Sequence, residues 1–302
     1  MRRWLLATGL ILLGAGLRAE SLTLATYNLA NYNLTDRQIE GAFLAAYPKP
    51  EREKTALRRV LHEIDADVVA LQEIGGDDFL RELQRDLRRE GLVYTEAEVL
   101  VAADSQRMVG VLSRRPLTHV GRHTELDFKY FTGREQVKRG MLEVQFETQA
   151  GTVSLFVVHL KSRLTERKDD PGASMRRGRE ATAARGRVLT LFPEPENGVF
   201  IIAGDFNEGP MHRPVRAFSR IGEREISQLI PAADSRGETW THRYRRNDEY
   251  SRVDFVMVSA PLIPWVRGGA GHIPDSPAVL QASDHRPVVV TFDIPASPDS
   301  SE

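Results

Sequence analysis

The 302-residue sequence contains no cysteine. It therefore has no disulfide, no thiolate nucleophile and no soft sulfur ligand for a metal, and its fold rests on packing alone. It also has almost no net charge. Its 41 basic residues face 42 acidic ones, so attraction to a polyanion or a membrane must come from a local patch. Long apolar runs are scarce. The one at the start, Trp4 to Leu17, is 14 residues long and too short to span a bilayer comfortably. Arg2 and Arg3 precede it and Ala19 follows, which is the pattern of a secretory signal peptide. The expected organisation is a signal peptide at 1–19, one folded domain at 20–295 and a polar tail at 296–302. Cleavage would leave 38 basic against 42 acidic residues. A secreted or periplasmic protein with no stable membrane insertion is expected, and nothing points to a protein partner. Asn33 opens an Asn-Leu-Thr sequon.

No linker rich in proline, glycine or serine interrupts residues 21–295, and no short repeat is present. What is there is a succession of short apolar strands that end in polar clusters. "SLTLATYN" alternates and stops at Asn28. Residues 51–64 set Leu57, Leu61 and Ile64 on one helical face, and 77–90 do the same with Phe79, Leu80, Leu83 and Leu87. Between them "DADVVALQE" reads as a buried strand. "RMVGVLSRRPL", "MLEVQFET" and "TVSLFVVHL" read as strands, 173–192 as a helix, and "GVFIIAGD", "RVDFVMVS" and "RPVVVTFDI" as strands again. An early βαβ pattern followed by many strands predicts an α/β fold with two packed sheets flanked by helices.

Several strand ends carry side chains with chemistry: Asn28, Glu73, His159, Asp205 and Asn207, with Asp254 inside "SRVDFVMVS" and Asp284 and His285 just before the last strand. Singly, each has a plain structural explanation, such as a turn cap or a satisfied core polar group. Three aspartates, a glutamate, two histidines and two asparagines beside short strands make a different case as a set. Taken in order, "TYNLANY", "VVALQEI", "VVHLKS", "IIAGDFNEGP", "SRVDFVMVS" and "SDHRPV" resemble the endonuclease/exonuclease/phosphatase superfamily of DNase I-like enzymes, over residues 21–293.

That resemblance implies a four-layer α/β/β/α sandwich and a metal-dependent phosphoesterase. It implies Glu73 as the main ligand of Mg²⁺ or Mn²⁺, with Asn28 and Asp284 in support. Asp205 would orient and deprotonate the attacking water, and Asn207, on the same side of the strand two positions on, would hold phosphate and water. His285 would contact the scissile phosphate, with Asp254 fixing its tautomer; either Asp205 or His285 could be the general base. His159 resembles a second phosphate-facing histidine, where abasic-site enzymes carry tyrosine. Lys161, sharing a strand face with His159, and Arg139 before a strand are candidate substrate contacts.

Substrate is less legible. Residues 161–187 hold nine basic and four acidic residues, and 241–252 mix arginines with tyrosines; both suit a nucleic-acid rim. An exported nuclease or phosphodiesterase is the leading expectation. The alternatives are a phosphatase or phospholipase-type enzyme acting on small phosphorylated molecules or lipid headgroups, and a non-catalytic polyanion-binding protein. The lipid version is disfavoured, because no exposed aromatic hairpin is evident.

Overall fold

The computed structural model describes residues 20–296. The expected signal peptide and residues 297–302 of the expected tail lie outside the described residues. From its start, β1 (Glu20–Tyr32) leads into a hairpin of β2 (Leu34–Ile39) and β3 (Ala42–Pro48). Next come α1 (Glu51–Ile64), β4 (Val68–Ile74), α2 (Asp77–Arg89), β5 (Glu96–Leu100) and β6 (Met108–Ser113). The second half opens with β7 (Leu117–His123) and a hairpin of β8 (Asp127–Tyr130) and β9 (Gly133–Gln136). It continues through β10 (Met141–Thr148), β11 (Gly151–His159), α3 (Ser174–Leu191), β12 (Phe200–Asp205) and α4 (Arg213–Ser219). Short strands follow: β13 (Arg220–Ile221), β14 (Arg224–Glu225), β15 (Gln228–Leu229), β16 (Ala232–Ala233), β17 (His242–Tyr244) and β18 (Glu249–Ser251). Then β19 (Asp254–Val258), β20 (Gly271–His272), α5 (Val279–Ala282) and β21 (Val288–Ile294) complete it.

Two sheets form, in the orders β16-β20-β21-β1-β4-β6-β5 and β15-β19-β12-β11-β10-β7. Strand periodicity explains how they pack, because successive side chains leave on opposite faces. Leu24, Val68, Ala70, Leu155, Val157, Ile201, Ala203 and Val256 meet in one apolar layer between the sheets. Their sequence neighbours point the other way. Ala25, Val69 and Leu71 pack under Leu57 and Leu61 of α1 and Leu80, Leu83 and Leu87 of α2. Phe156, Val158, Phe200, Ile202 and Phe255 pack under Ala181, Ala184 and Val188 of α3 and Phe218 of α4. Three apolar layers between four sets of elements make the α/β/β/α sandwich. Strands buried on both faces need no polar alternation, which is why their sequences read as nearly continuous apolar runs.

One expectation is corrected here. The β2–β3 hairpin stands out from the sandwich with Leu34, Phe43 and Tyr47 exposed, Phe43 at 62 %. An exposed aromatic hairpin is therefore present. Four consecutive polar residues of β2, Thr35 to Gln38, hide it from a reading of apolar runs. Asn33 is buried and its side-chain amide donates to the Gln106 carbonyl at 2.6 Å, so the sequon is sequestered within the fold.

Candidate active site

The functional side chains converge where the two sheets meet at one end of the sandwich. In the second sheet three neighbouring strands bring His159, Asp205 and Asp254 level: His159 is the register partner of Asp205, and Asp205 of Asp254. In the first sheet Asn28 is paired with Gln72, one residue before Glu73. The seam is closed by Asn28 Nδ2, which donates to Asp205 Oδ2 at 3.1 Å across 177 residues of sequence. Ser283 adds a second tie. Its hydroxyl donates to the Asn28 carbonyl at 2.8 Å and accepts from the His285 amide at 3.0 Å, which sets the backbone at His285.

Asp205 is fully buried and held by three donors. The Asn207 amide reaches Oδ1 at 2.7 Å, and the side-chain amides of Asn207 and Asn28 reach Oδ2 at 3.0 and 3.1 Å. Burial raises its pKa and the neighbouring Asp254 carboxylate raises it further. His285 and the Asn207 amide pull it down, and the balance leaves it at about 7. Asn207 lies beyond the end of β12 with a left-handed backbone, φ 52°. The expected pairing of Asp205 and Asn207 is therefore observed, but a left-handed turn makes it, not strand alternation. Both Asn207 side-chain amide hydrogens are engaged, one with Asp205 and one with the Leu160 carbonyl at 2.9 Å.

The two histidines carry opposite protonation preferences. His285 Nδ1 lies 2.8 Å from Asp254 Oδ2, and Nε2 lies 4.0 Å from Asp205 Oδ2. Burial works against its cation, but Asp254, Asp205 and Asp284 outweigh burial and lift its pKa well above the usual histidine value. Asp254 is in turn fixed through Thr241, whose hydroxyl accepts from the amides of Val253 and Asp254 at 3.0 and 3.1 Å. His159 goes the other way. Burial first, then the positive charges of Arg139 and His285, hold it well below the usual value and so neutral. Its Nε2 lies 3.5 Å from Asp205 and 3.9 Å from Glu73. Its Nδ1 is buried and has no hydrogen-bond partner among the described residues.

Glu73, next to last in β4, has a left-handed backbone, φ 63°. The Asn31 amide fixes Oε2 at 2.8 Å, while Oε1 accepts no hydrogen bond among the described residues. A fixed carboxylate with one free oxygen, beside buried oxygen donors and no thiolate, fits a hard divalent cation. Asp205, Asp254 and His285 also lie with donor atoms within 4.8 Å of one another. The 2.8 Å contact from His285 Nδ1 to Asp254 is a hydrogen bond, however, so this trio holds a proton more naturally than a metal.

Three sequence candidates are placed less centrally. Asp284 stands at the rim, its side chain 43 % exposed and 4.0 Å from His242 Nε2. The Lys161 ammonium is taken up by its own loop, at Ser162 and the Leu164 carbonyl, because β11 ends at His159 and Lys161 leaves the strand face. Buried Arg139 bonds Asp104 Oδ2 at 3.1 Å and the Leu160 carbonyl at 2.9 Å. With Glu73, His159, Lys161, Arg107 and Lys138 it lines a cavity of about 250 Å³ beside the centre. Sequence reasoning missed Thr241, Ser283 and His242, whose ring lies 4.5 Å from that of His285. Single hydroxyls carry no spacing signal, and His242 was hidden among arginines.

A substitution tests the histidine pair. Asp254→Asn removes the charge that stabilises the imidazolium, so the His285 pKa is expected to fall below its wild-type value, and activity by about 10² or more. Histidine NMR titration measures the first; an unchanged His285 titration would contradict the pairing.

A sequence model of the endonuclease/exonuclease/phosphatase family matches residues 25–285. No curated protein matches the chain in sequence. Solved structures do match in fold. A double mutant of the beta toxin from Staphylococcus aureus, with bound magnesium ions, has a TM-score of 0.61 at 13% identity, covering 91% of this chain and 100% of its own. The endonuclease/exonuclease/phosphatase from Bacteroides vulgatus has a TM-score of 0.60 at 13% identity, covering 91% and 100%. The human Nocturnin catalytic domain with bound sulfate has 0.59 at 15% identity, covering 90% and 94%. The sequence match across nearly the whole domain, on a sandwich whose strand ends gather carboxylates and histidines, places the chain in the endonuclease/exonuclease/phosphatase family, as a metal-dependent hydrolase of phosphate esters.

Proposed function

We propose that the protein is an exported phosphodiesterase that hydrolyses nucleic acid. The observation that carries the chemistry is the buried Asp205 carboxylate, held by three N–H donors between His159 at 3.5 Å and His285 at 4.0 Å, with burial raising its pKa. Mg²⁺ or Mn²⁺ held by Glu73, with Asn28 and Asp284 in support, would supply charge neutralisation at the phosphate. Asp205 orients the water and takes its proton, since a base is most effective when its pKa lies near the working pH. A cationic His285 cannot accept that proton, which favours Asp205 over His285 as the base. His285 instead offers its Nε2 proton and positive charge to a phosphate oxygen, and Asp254 keeps that proton in place. As the new P–O bond forms, the bond to the departing oxygen breaks and that oxygen takes a proton from solvent, to which Asp205 returns the proton it removed from the attacking water. A neutral His159 suits hydrogen-bond donation more than proton transfer. The engaged amide of Asn207 supports a positioning role at Asp205 over a direct grip on phosphate. Arg139 and Lys161 contribute positive potential to the adjoining cavity.

Export rests on the sequence pattern at residues 1–19; among the described residues no helix is long and apolar enough to cross a membrane. The test of substrate is incubation of the purified protein with plasmid, RNA and phosphomonoesters, with Mg²⁺ and with chelator. Metal-dependent nicking supports the proposal; release of phosphate from monoesters without cutting contradicts it. Glu73→Gln is expected to raise the Mg²⁺ concentration for half-maximal rate about tenfold or more. An unchanged metal requirement would move the ligand assignment elsewhere.

One observation favours a second reading. The exposed Leu34, Phe43 and Tyr47 on the β2–β3 hairpin suit a lipid surface, which would make the substrate a headgroup diester. Turnover confined to phospholipid vesicles would select it.

A further inference from the structure

Local charge counting along 161–187 gives a basic rim, but most of that charge is spent internally. Arg176 pairs with Glu135 and Glu180, Arg177 and Arg163 with Glu208, and Arg187 with Glu125. Unspent positive charge from this stretch and the next helix gathers in one place. Arg185 of α3, Arg213 and Arg216 of α4, and Arg220 just after it line one cleft of about 510 Å³, with Thr182 and Gly222. Among the described residues no carboxylate lies within ion-pair distance of any of the four. Arg220 Nε bonds the Gly222 carbonyl at 2.9 Å. Arg185 Nε is buried with no acceptor among the described residues, and Arg213 and Arg216 are exposed.

Four guanidinium groups around one cleft repel one another, and a buried guanidinium nitrogen without an acceptor is costly. Burial and the Arg213 charge both disfavour the Arg185 cation. An anion in the cleft relieves both costs, and the planar fork of arginine suits phosphate oxygens. The cleft adjoins the active centre through α3. Arg213 packs across Gly178, where an added Cβ would meet its Cδ at 3.0 Å. Next to Gly178, Arg177 bonds Glu208 and the Lys161 carbonyl at the edge of the site. From Arg177 to Arg185 the helix rises about 12 Å, which sets the axial distance between the edge of the site and the cleft.

We propose that the Arg185, Arg213, Arg216 and Arg220 cleft is a second phosphate-binding site, which grips the backbone of a nucleic-acid substrate away from the bond that is cut. It rests on the nucleic-acid reading above and extends it to an extended, polyanionic substrate.

The test compares wild type with R213Q/R216Q, which changes two exposed side chains, and with the variant carrying Gln at all four positions. Binding of a fluorescein-labelled 20-nucleotide single strand is followed by anisotropy in chelator from 50 to 300 mM salt. Turnover of bis(4-nitrophenyl) phosphate is measured with Mg²⁺, and thermal midpoints check the fold. The four-site variant is expected to bind about tenfold more weakly or worse at 100 mM salt. Its salt slope should flatten by about 2, and small-diester turnover should be unchanged. The double variant should fall between, and decides the matter if the four-site variant does not fold. Wild-type affinity and slope in a folded variant would overturn the cleft while leaving the nuclease reading intact, provided wild type still cuts plasmid. A wild type that turns over the small diester but neither binds the strand nor cuts plasmid would overturn the nuclease reading and this proposal with it. Loss of binding to phosphatidylserine vesicles, with strand binding retained, would also overturn the proposal in favour of a membrane contact.

Discussion

Replacing Asp205 by asparagine is expected to lower kcat about a thousandfold, with substrate binding in chelator nearly unchanged. Oδ1 and Oδ2 of this carboxylate hold three N–H donors, so the side chain is fixed before substrate arrives. Asparagine keeps the size and loses the basicity. The pH behaviour is the more specific check. With a pKa raised to about 7, Asp205 is protonated in acid and active in base, so wild-type kcat/KM should rise with pH up to about 7. Bound metal would move that limb lower without reversing it. The limb should be absent from the variant.

Stability carries the same signature. A carboxyl whose pKa is raised on folding contributes stability at low pH that is lost as pH rises through the folded value. Asparagine has no such loss. The melting temperature of Asp205→Asn relative to wild type should therefore move in favour of the variant between pH 4 and pH 8. A difference constant with pH, or a variant that retains turnover, would sink the assignment.

The second large effect is expected at Gly204. It faces Val158 across the parallel β11–β12 pair with φ 150°. A Cβ there would sit 1.9 Å from the Val158 carbonyl oxygen, with no flexible atom to move aside. Gly204→Ala must push two central strands apart, and should cost about 4 kcal/mol or more. For a domain of this size that is a drop of roughly 8–16 °C in Tm. The next residue along each strand is a site residue, His159 and Asp205, so activity should fall even where the variant remains folded. Thermal denaturation and kcat at 15 °C together measure this; a variant with wild-type Tm would mean that the strands are less tightly joined than the structure has them.

The glycine and the aspartate after it were legible because they serve one short stretch, "IIAGDFN", in which an apolar strand stops abruptly. The sandwich was legible for a similar reason. Strands buried on both faces leave apolar runs that polar clusters interrupt, and α1 and α2 show clear helical faces. What stayed hidden depends on partners far away in sequence. Arg176 and Arg177 count as surface charge until Glu135 and Glu208 are seen beside them. The Arg185 cleft draws on two helices and the turn after them, so no window of sequence contains it. Asp284 was legible from its place beside His285, but its approach to His242 joins positions from separate stretches. The β2–β3 hairpin was missed because its exposed apolar residues are spread over two strands and join only across the pair.

The bond between Asn28 and Asp205 links positions 177 residues apart, and Ser283 ties to the same Asn28 across 255. No contiguous fragment shorter than almost the whole domain can hold the centre together. A growing chain is consequently inert until its last strand has emerged and both sheets have docked, and such distant closures form late and slowly. The enzyme thus has an intrinsic delay between synthesis and the power to cleave, set by the order in which its own parts become available.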